Sequence, residues 1–175
     1  MEELLDRIQT SLLLKFPFAG SLFRKVRIIQ TEAVPTAGVS PSNYIYINPT
    51  FFKNLNFKEQ VFVMVHEIFH IISNHPQRGL DKNKMLWNLA GDAAINEMLR
   101  EVFSWLWNTD KFVMASTIAG LTGTPEEEIR KMNDSEIYKL LLEKCKGGRK
   151  GEGGDGIGDD LLDEEKDGSV VQEGD

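Results

Sequence analysis

Asn56-Phe57-Lys58-Glu59-Gln60-Val61-Phe62-Val63-Met64-Val65-His66-Glu67-Ile68-Phe69-His70-Ile71-Ile72-Ser73-Asn74 reads as one helix. Asn56 with Glu59 three positions later has the form of a capping box, and Pro76 stops the helix just beyond. At about 100° per residue, His66, Glu67, His70, Ser73 and Asn74 fall within an arc of about 120°. Val61, Val65, Ile68, Ile71 and Ile72 take the other side. A polar island on an otherwise apolar helix needs partners once buried. The two imidazoles at i and i+4 share one face and can bind one zinc ion, as His-Glu-x-x-His helices do. A carboxylate beside the first of them, Glu67, is suited to take a proton from a water that zinc makes acidic. The metal-free alternative is two histidines hydrogen-bonded in a polar groove. All three histidines of the chain lie between His66 and His75, which favours the metal.

A catalytic zinc site takes three protein ligands and keeps one position open. His75, Asp92 and Glu97 are the candidates for the third. A third histidine in the extended zinc motif would follow a glycine turn, but Ser73 and Pro76 stand at those two places. The helix expected over Lys84 to Trp107 separates the two acids. On a wheel with Leu89 at 0°, Asp92 falls near roughly 300°, inside the apolar stripe of Ile95, Leu99 and Phe103, and Asn96 lies one turn on. Glu97, Arg100 and Glu101 fall on the polar side. A buried aspartate and asparagine call for a reason; Asp92 as ligand and Asn96 as the amide that orients a ligand supply one. Glu97 reads as a solvated face residue. His75, if not a ligand, caps the end of the site helix or donates to a developing oxyanion, a part for which Tyr44, Tyr46 and Arg78 are also candidates.

The rest of the chain frames this helix. Glu2 to Lys15 has helical apolar spacing, and Phe16-Pro17-Phe18-Ala19-Gly20 breaks it. Lys25 to Thr31 reads as a strand, Pro35 to Gly38 as loop, and Asn43 to Asn48 as an alternating half-buried strand ended by Pro49. Tyr44 to Ile47 is a candidate sheet edge for an extended peptide. Further helix starts stand at Thr124-Pro125 and at Asn133 to Glu136.

The net charge of -7 is uneven: residues 147–175 hold ten acidic and three basic residues, leaving the first 146 formally neutral. No basic excess points to nucleic acid. The reading is one domain over 1–146 and a disordered acidic, glycine-rich tail over 147–175. In it, Gly153 to Asp159 has the composition of a flexible linker more than of a calcium repeat. The acidic N-terminus is unlike a signal peptide, and Val61 to Val65 is far too short an apolar run to span a bilayer. With Cys145 the one cysteine, an intrachain disulfide and a cysteine-based zinc cluster are excluded. A cytoplasmic protein with no membrane partner is expected. Trp105 and Trp107 with Phe103 and Phe112 are read as core.

Val65 to His70 through Ser73-Asn74-His75, then Trp87-Asn88-Leu89-Ala90-Gly91-Asp92-Ala93-Ala94-Ile95-Asn96, resembles the metallopeptidase domain found before a von Willebrand factor A-like domain in bacterial and phage proteins. Ala33 to Val39, Tyr46 to Pro49 and Ser135 to Leu141 share the resemblance, which spans most of residues 1–146. It implies a zincin-like α+β fold, mainly helical, with a small antiparallel or mixed sheet packed on the site helix. It matches His66, His70 and Asp92 to metal positions and Glu67 to the base. It also implies an A-like domain after residue 146, and through it a partner ATPase, where this chain has its acidic segment. The expected activity is zinc-dependent hydrolysis of peptide bonds in a peptide or protein substrate. The alternative is a zinc-stabilised interaction module without catalysis.

Overall fold

The computed structural model describes residues 2–100, 102–103 and 112–148. The fold is α+β, mainly helical, with one small mixed sheet. Helices α1 (Glu2–Lys15) and α2 (Pro17–Phe23) lead into β1 (Arg27–Gln30), β2 (Ala37–Val39) and β3 (Tyr44–Ile47). Helices α3 (Pro49–Lys53), α4 (Phe57–Ile72), α5 (His75–Arg78), α6 (Lys84–Arg100), α7 (Ala115–Thr122), α8 (Glu126–Ile129) and α9 (Asp134–Gly148) follow.

The breaks expected at Pro17 and Pro49 are real, but each proline also opens a short helix. A proline in the first helical turn loses no hydrogen bond, because its N–H would be unpaired there anyway. Asn48 completes the start of α3 by accepting from the N–H groups of Thr50 and Phe51 at 2.9 and 3.0 Å. At Gly20 a side chain would come within 2.6 Å of the Leu13 backbone nitrogen, so glycine lets α2 fold back against α1.

The sheet order is β1-β3-β2, with β1 parallel and β2 antiparallel to β3. Two expectations change here. Ala37 and Gly38, read as loop, form a strand with Val39, and Tyr44 to Ile47 is the centre of the sheet, not its edge. The outer strand β2 instead lies on α4. With three residues and a glycine, β2 carries no alternation for a sequence reading to find.

Two apolar clusters flank the site. One packs α1, α2, the sheet and α4 around Ile8, Leu12, Ile45, Ile47, Phe52, Met64 and Ile68, all fully buried, and takes in Leu99 and Phe103. Phe103 stacks on Phe16 at 5.1 Å and meets the edge of Phe62 at 5.6 Å. The other joins α6 to α7, α8 and α9 through Leu86, Ala90, Ile118, Ile129 and Ile137, with Cys145 buried among them. Arg78 in α5 clamps the start of α9 by a two-pronged pairing to Asp134 at 2.8 and 2.6 Å. Past Arg100, Val102 and Phe103 form a turn, and the rest of the expected continuation of α6, with Glu101, Trp105 and Trp107, lies outside the described residues. So does the tail from residue 149 with its Gly153–Asp159 stretch. Among the described residues, no helix is long and apolar enough to cross a membrane.

Candidate metal centre

The capping box of α4 forms in full. The Asn56 side chain accepts from the N–H groups of Lys58 and Glu59 at 3.0 and 3.1 Å, and the Asn56 N–H donates to Glu59 at 2.8 Å. At the other end Asn74 turns left-handed (φ 53°), a conformation asparagine tolerates better than most residues, and α5 starts there. Between those ends, Val61, Phe62, Met64, Val65 and Ile68 are buried. His66 and His70 then point one way from consecutive turns.

Helix α6 crosses this face and brings Asp92 to both rings. The Nε2 atoms of His66 and His70 are 2.9 Å apart, and Asp92 Oδ1 lies 3.3 Å from the first and 3.1 Å from the second. Asn96, one turn along α6, sets the chemistry of His66. Its Nδ2 donates to the Val113 carbonyl at 3.0 Å, which turns its Oδ1 toward His66 Nδ1 at 2.9 Å. Since Oδ1 can only accept, Nδ1 carries the proton, and the lone pair of His66 is left on Nε2, facing Asp92 and His70. Two ring nitrogens and a carboxylate oxygen thus converge on one point. One shared proton cannot satisfy all three, whereas one metal cation can, and these three form a candidate metal site.

The electrostatics agree with a centre that attracts positive charge. Burial would raise the Asp92 carboxyl, but hydrogen bonds and charge from His66 and His70 in their protonated form outweigh it and hold Asp92 well below the usual carboxylate range. Burial would lower His66, yet its bond to Asp92 and the charges of Glu67 and Asp92 raise it. Glu67 is pushed up, chiefly by burial, against the pull of the two histidines.

Glu67 is 6% exposed and accepts no hydrogen bond among the described residues, so its carboxylate is free to meet a guest. It lines two adjoining cavities of about 450 and 300 Å³, shared by His66, Asp92, Thr36 and Ala37. The outer edge of β2 borders both. Thr36 accepts from the Asn48 N–H, and the Ser40 N–H donates to Tyr44. By strand alternation, Ala37 and Val39 therefore turn their backbone groups away from β3.

Other sequence candidates lie apart from the three donors. The His75 ring stacks on Trp87 at 4.5 Å with its Nε2 against the Trp87 carbonyl at 3.1 Å, and the Trp87 Nε1–H donates back to the His75 carbonyl at 2.9 Å. Burial first, then the neighbouring His70, lowers His75 to about 4, so it is neutral at physiological pH. Its ring borders the smaller cavity, 4.8 Å from the ring of His70. Glu97 is not a solvated face residue. At 14% side-chain exposure it accepts from the Ala115 N–H at 3.0 Å and pairs with Arg100 and Arg130, because α7 and α8 cover that side of α6. Arg78 is committed to Asp134, and neither Tyr44 nor Tyr46 lines either cavity. Sequence reasoning from patterns missed Thr36 to Val39 and the apolar wall formed by Phe51, Leu55, Phe62, Val63 and Phe112. Only the overall resemblance drew attention to the first, and nothing local distinguished the second from core.

A family model described as "Putative metallopeptidase domain" matches residues 3–172. No curated protein and no solved structure matches the chain.

Proposed function

The chain belongs to this metallopeptidase-domain family, and from that premise we propose that it is a zinc-dependent peptidase of zincin-like build. The observation that carries the reading is the meeting of His66 Nε2, His70 Nε2 and Asp92 Oδ1 beside the buried Glu67 carboxylate, which accepts no hydrogen bond among the described residues. Their mutual distances of 2.9, 3.1 and 3.3 Å approach the edge of a tetrahedral zinc site, about 3.3 Å for bonds of about 2.05 Å. Two imidazoles and one carboxylate are a ligand set zinc accepts, with a fourth position left for substrate or water. A zinc closed off by protein would need a fourth donor. His75 Nε2 faces the Trp87 carbonyl, and no further histidine, cysteine or acid joins the cluster among the described residues, which favours the enzyme over the interaction module.

Zinc, when bound, supplies Lewis-acid polarisation of the scissile carbonyl and acidifies a water. Asn96 keeps the His66 lone pair on Nε2, and Asp92 contributes the negative charge that offsets the cation. Glu67 takes the proton of the attacking water and delivers it to the leaving amine. Burial, by raising Glu67, brings its basicity nearer to that task. A peptide lies extended along Ala37 to Val39, whose outward backbone groups pair with it.

Zinc content and cleavage of casein or short peptides, compared between wild type and Glu67→Gln, test this. One zinc per chain in both proteins is expected, with cleavage reduced by about 10²–10⁴ in the variant. Stoichiometric zinc with cleavage undiminished would remove Glu67 as the base.

A further inference from the structure

The two cavities beside the metal centre differ in chemistry. The smaller is edged by His75, Asn88, Pro76 and the backbone of Gly38 and Val39. The larger, about 450 Å³, is walled by Phe51, Leu55, Phe62, Val63 and Phe112, with Glu67, His66 and Asp92 on its inner face. That volume falls within the roughly 300–1,000 Å³ of pockets that hold small ligands. Among the described residues no lysine or arginine lines it, and the acidic side chains on its wall are Glu59, Glu67 and Asp92. An acidic side chain entering it meets carboxyl groups and, among the described residues, no lysine or arginine to pair with. A small side chain leaves its aromatic wall in water. A large apolar side chain covers that wall.

We propose that the larger cavity is the specificity pocket, and that the substrates are peptides with a bulky apolar residue, such as phenylalanine or leucine, on one side of the scissile bond. The residue on the other side, over the smaller polar cavity, is free to be small or polar. This rests on the peptidase reading, because only a peptide held at Glu67 sets one side chain in each cavity. Val63, Leu55 and Phe112 are the specificity-determining residues. Val63 is half-buried on α4, one turn before Glu67, and is not itself a metal donor, so bulk added there narrows the pocket while the three donor side chains stay in place.

A matched set of internally quenched, alanine-rich peptides with one variable residue (Phe, Leu, Ala, Asp or Lys) tests it. Cut positions are read by mass spectrometry, and binding of the same peptides to zinc-loaded Glu67→Gln is read by titration calorimetry. Cuts should fall next to Phe or Leu on a constant side, with kcat/KM roughly ten- to a hundredfold above the alanine peptide, and lower still for Asp. Val63→Phe should reverse the order of Phe and Ala while zinc stoichiometry stays at the wild-type level. Glu67→Gln should bind the Phe and Leu peptides in preference without cutting them. Cleavage with no apolar preference on either side, or a ranking untouched by Val63→Phe, overturns the pocket assignment and leaves the peptidase reading intact. Preferred binding of Phe and Leu peptides without cleavage by wild type supports the pocket and overturns the peptidase reading. Absence of both cleavage and preferential binding overturns both.

Discussion

Helices α4 and α6 both supply the candidate metal centre, yet they are held by different means. Helix α4 is fixed by its own sequence: Asn56 and Glu59 close its first turn, Asn74 ends it, and the i, i+4 spacing sets His66 over His70 whatever lies around them. Helix α6 borrows its position. Asn83 caps its first turn by accepting from the Leu86 N–H at 3.0 Å, but the Asn83 N–H is in turn held by Tyr138 of α9 at 3.1 Å. Its height against α4 is set by the reciprocal His75–Trp87 contact and by Gly91, where a side chain would come within 2.2 Å of His75 Nε2. Asp92 follows directly after Gly91. Two of the proposed ligands are therefore secured by local geometry and the third by packing, so damage far from the candidate site should reach it through α6 more readily than through α4.

The largest effect expected outside Glu67 and the ligands is at Asn96, the α6 residue that orients an α4 ligand. Asn96→Ala should weaken zinc binding roughly ten- to a hundredfold, up to about 3 kcal/mol, in competition with a chromophoric chelator. An unchanged affinity would show that the His66 tautomer needs no help from α6.

Gly91→Ala tests the seat of α6. Crowding of His75 should cost about 3 kcal/mol, offset by about 1 kcal/mol of gained helix propensity, for a net loss near 2 kcal/mol in urea unfolding of the metal-free protein. Zinc affinity should fall with it, since Asp92 is carried along. Loss of stability with full affinity would mean that α6 reaches α4 independently of His75.

His75 adds a pH dependence to the same contact. The folded side chain gains its proton only near 4, against 6.5 for the ordinary group, so the unfolded chain binds more protons between those values. The contribution to stability is whole above about pH 6.5 and is lost as pH falls through that window, by about 2 kcal/mol at pH 5. His75→Gln should flatten the metal-free stability curve there by that amount. An identical slope in the variant would assign the acid sensitivity to other groups.

The smallest effect is expected where α4 supports itself. Asn56→Ala removes two accepted hydrogen bonds and should lower stability by about 1 kcal/mol, seen in the thermal midpoint, while zinc affinity stays within twofold. A larger fall in affinity would erase the contrast between the two helices.

Much of this division was legible in the residues. The capping box of α4 and the start of α9 at Asn133 and Glu136 were open to reading because each is a contact within one turn, whereas the stop read at Pro76 belongs to the left-handed Asn74, and Pro76 opens α5. The place of Asp92 on the apolar stripe of α6 was legible too, since a carboxylate there breaks the pattern. Short elements escaped. Helices α2 and α3 hide behind prolines that also end what precedes them. Helix α7 offers no side-chain N-cap of the usual kind, because Met114 occupies that position. Strand β2 is a strand only because β3 lies beside it.

The sequence by itself settled the imidazole pair, the carboxylate between them and the helix that carries all three, because a helix repeats its geometry over a few residues regardless of context. Tertiary structure alone decided how far Asp92 stands from the rings, that Glu97 turns to Ala115 and Arg130, that His75 locks against Trp87, and that β2 rather than β3 borders the cavities. Those outcomes depend on contacts between residues far apart in the chain, whose distances follow from how complete elements pack and not from any local period.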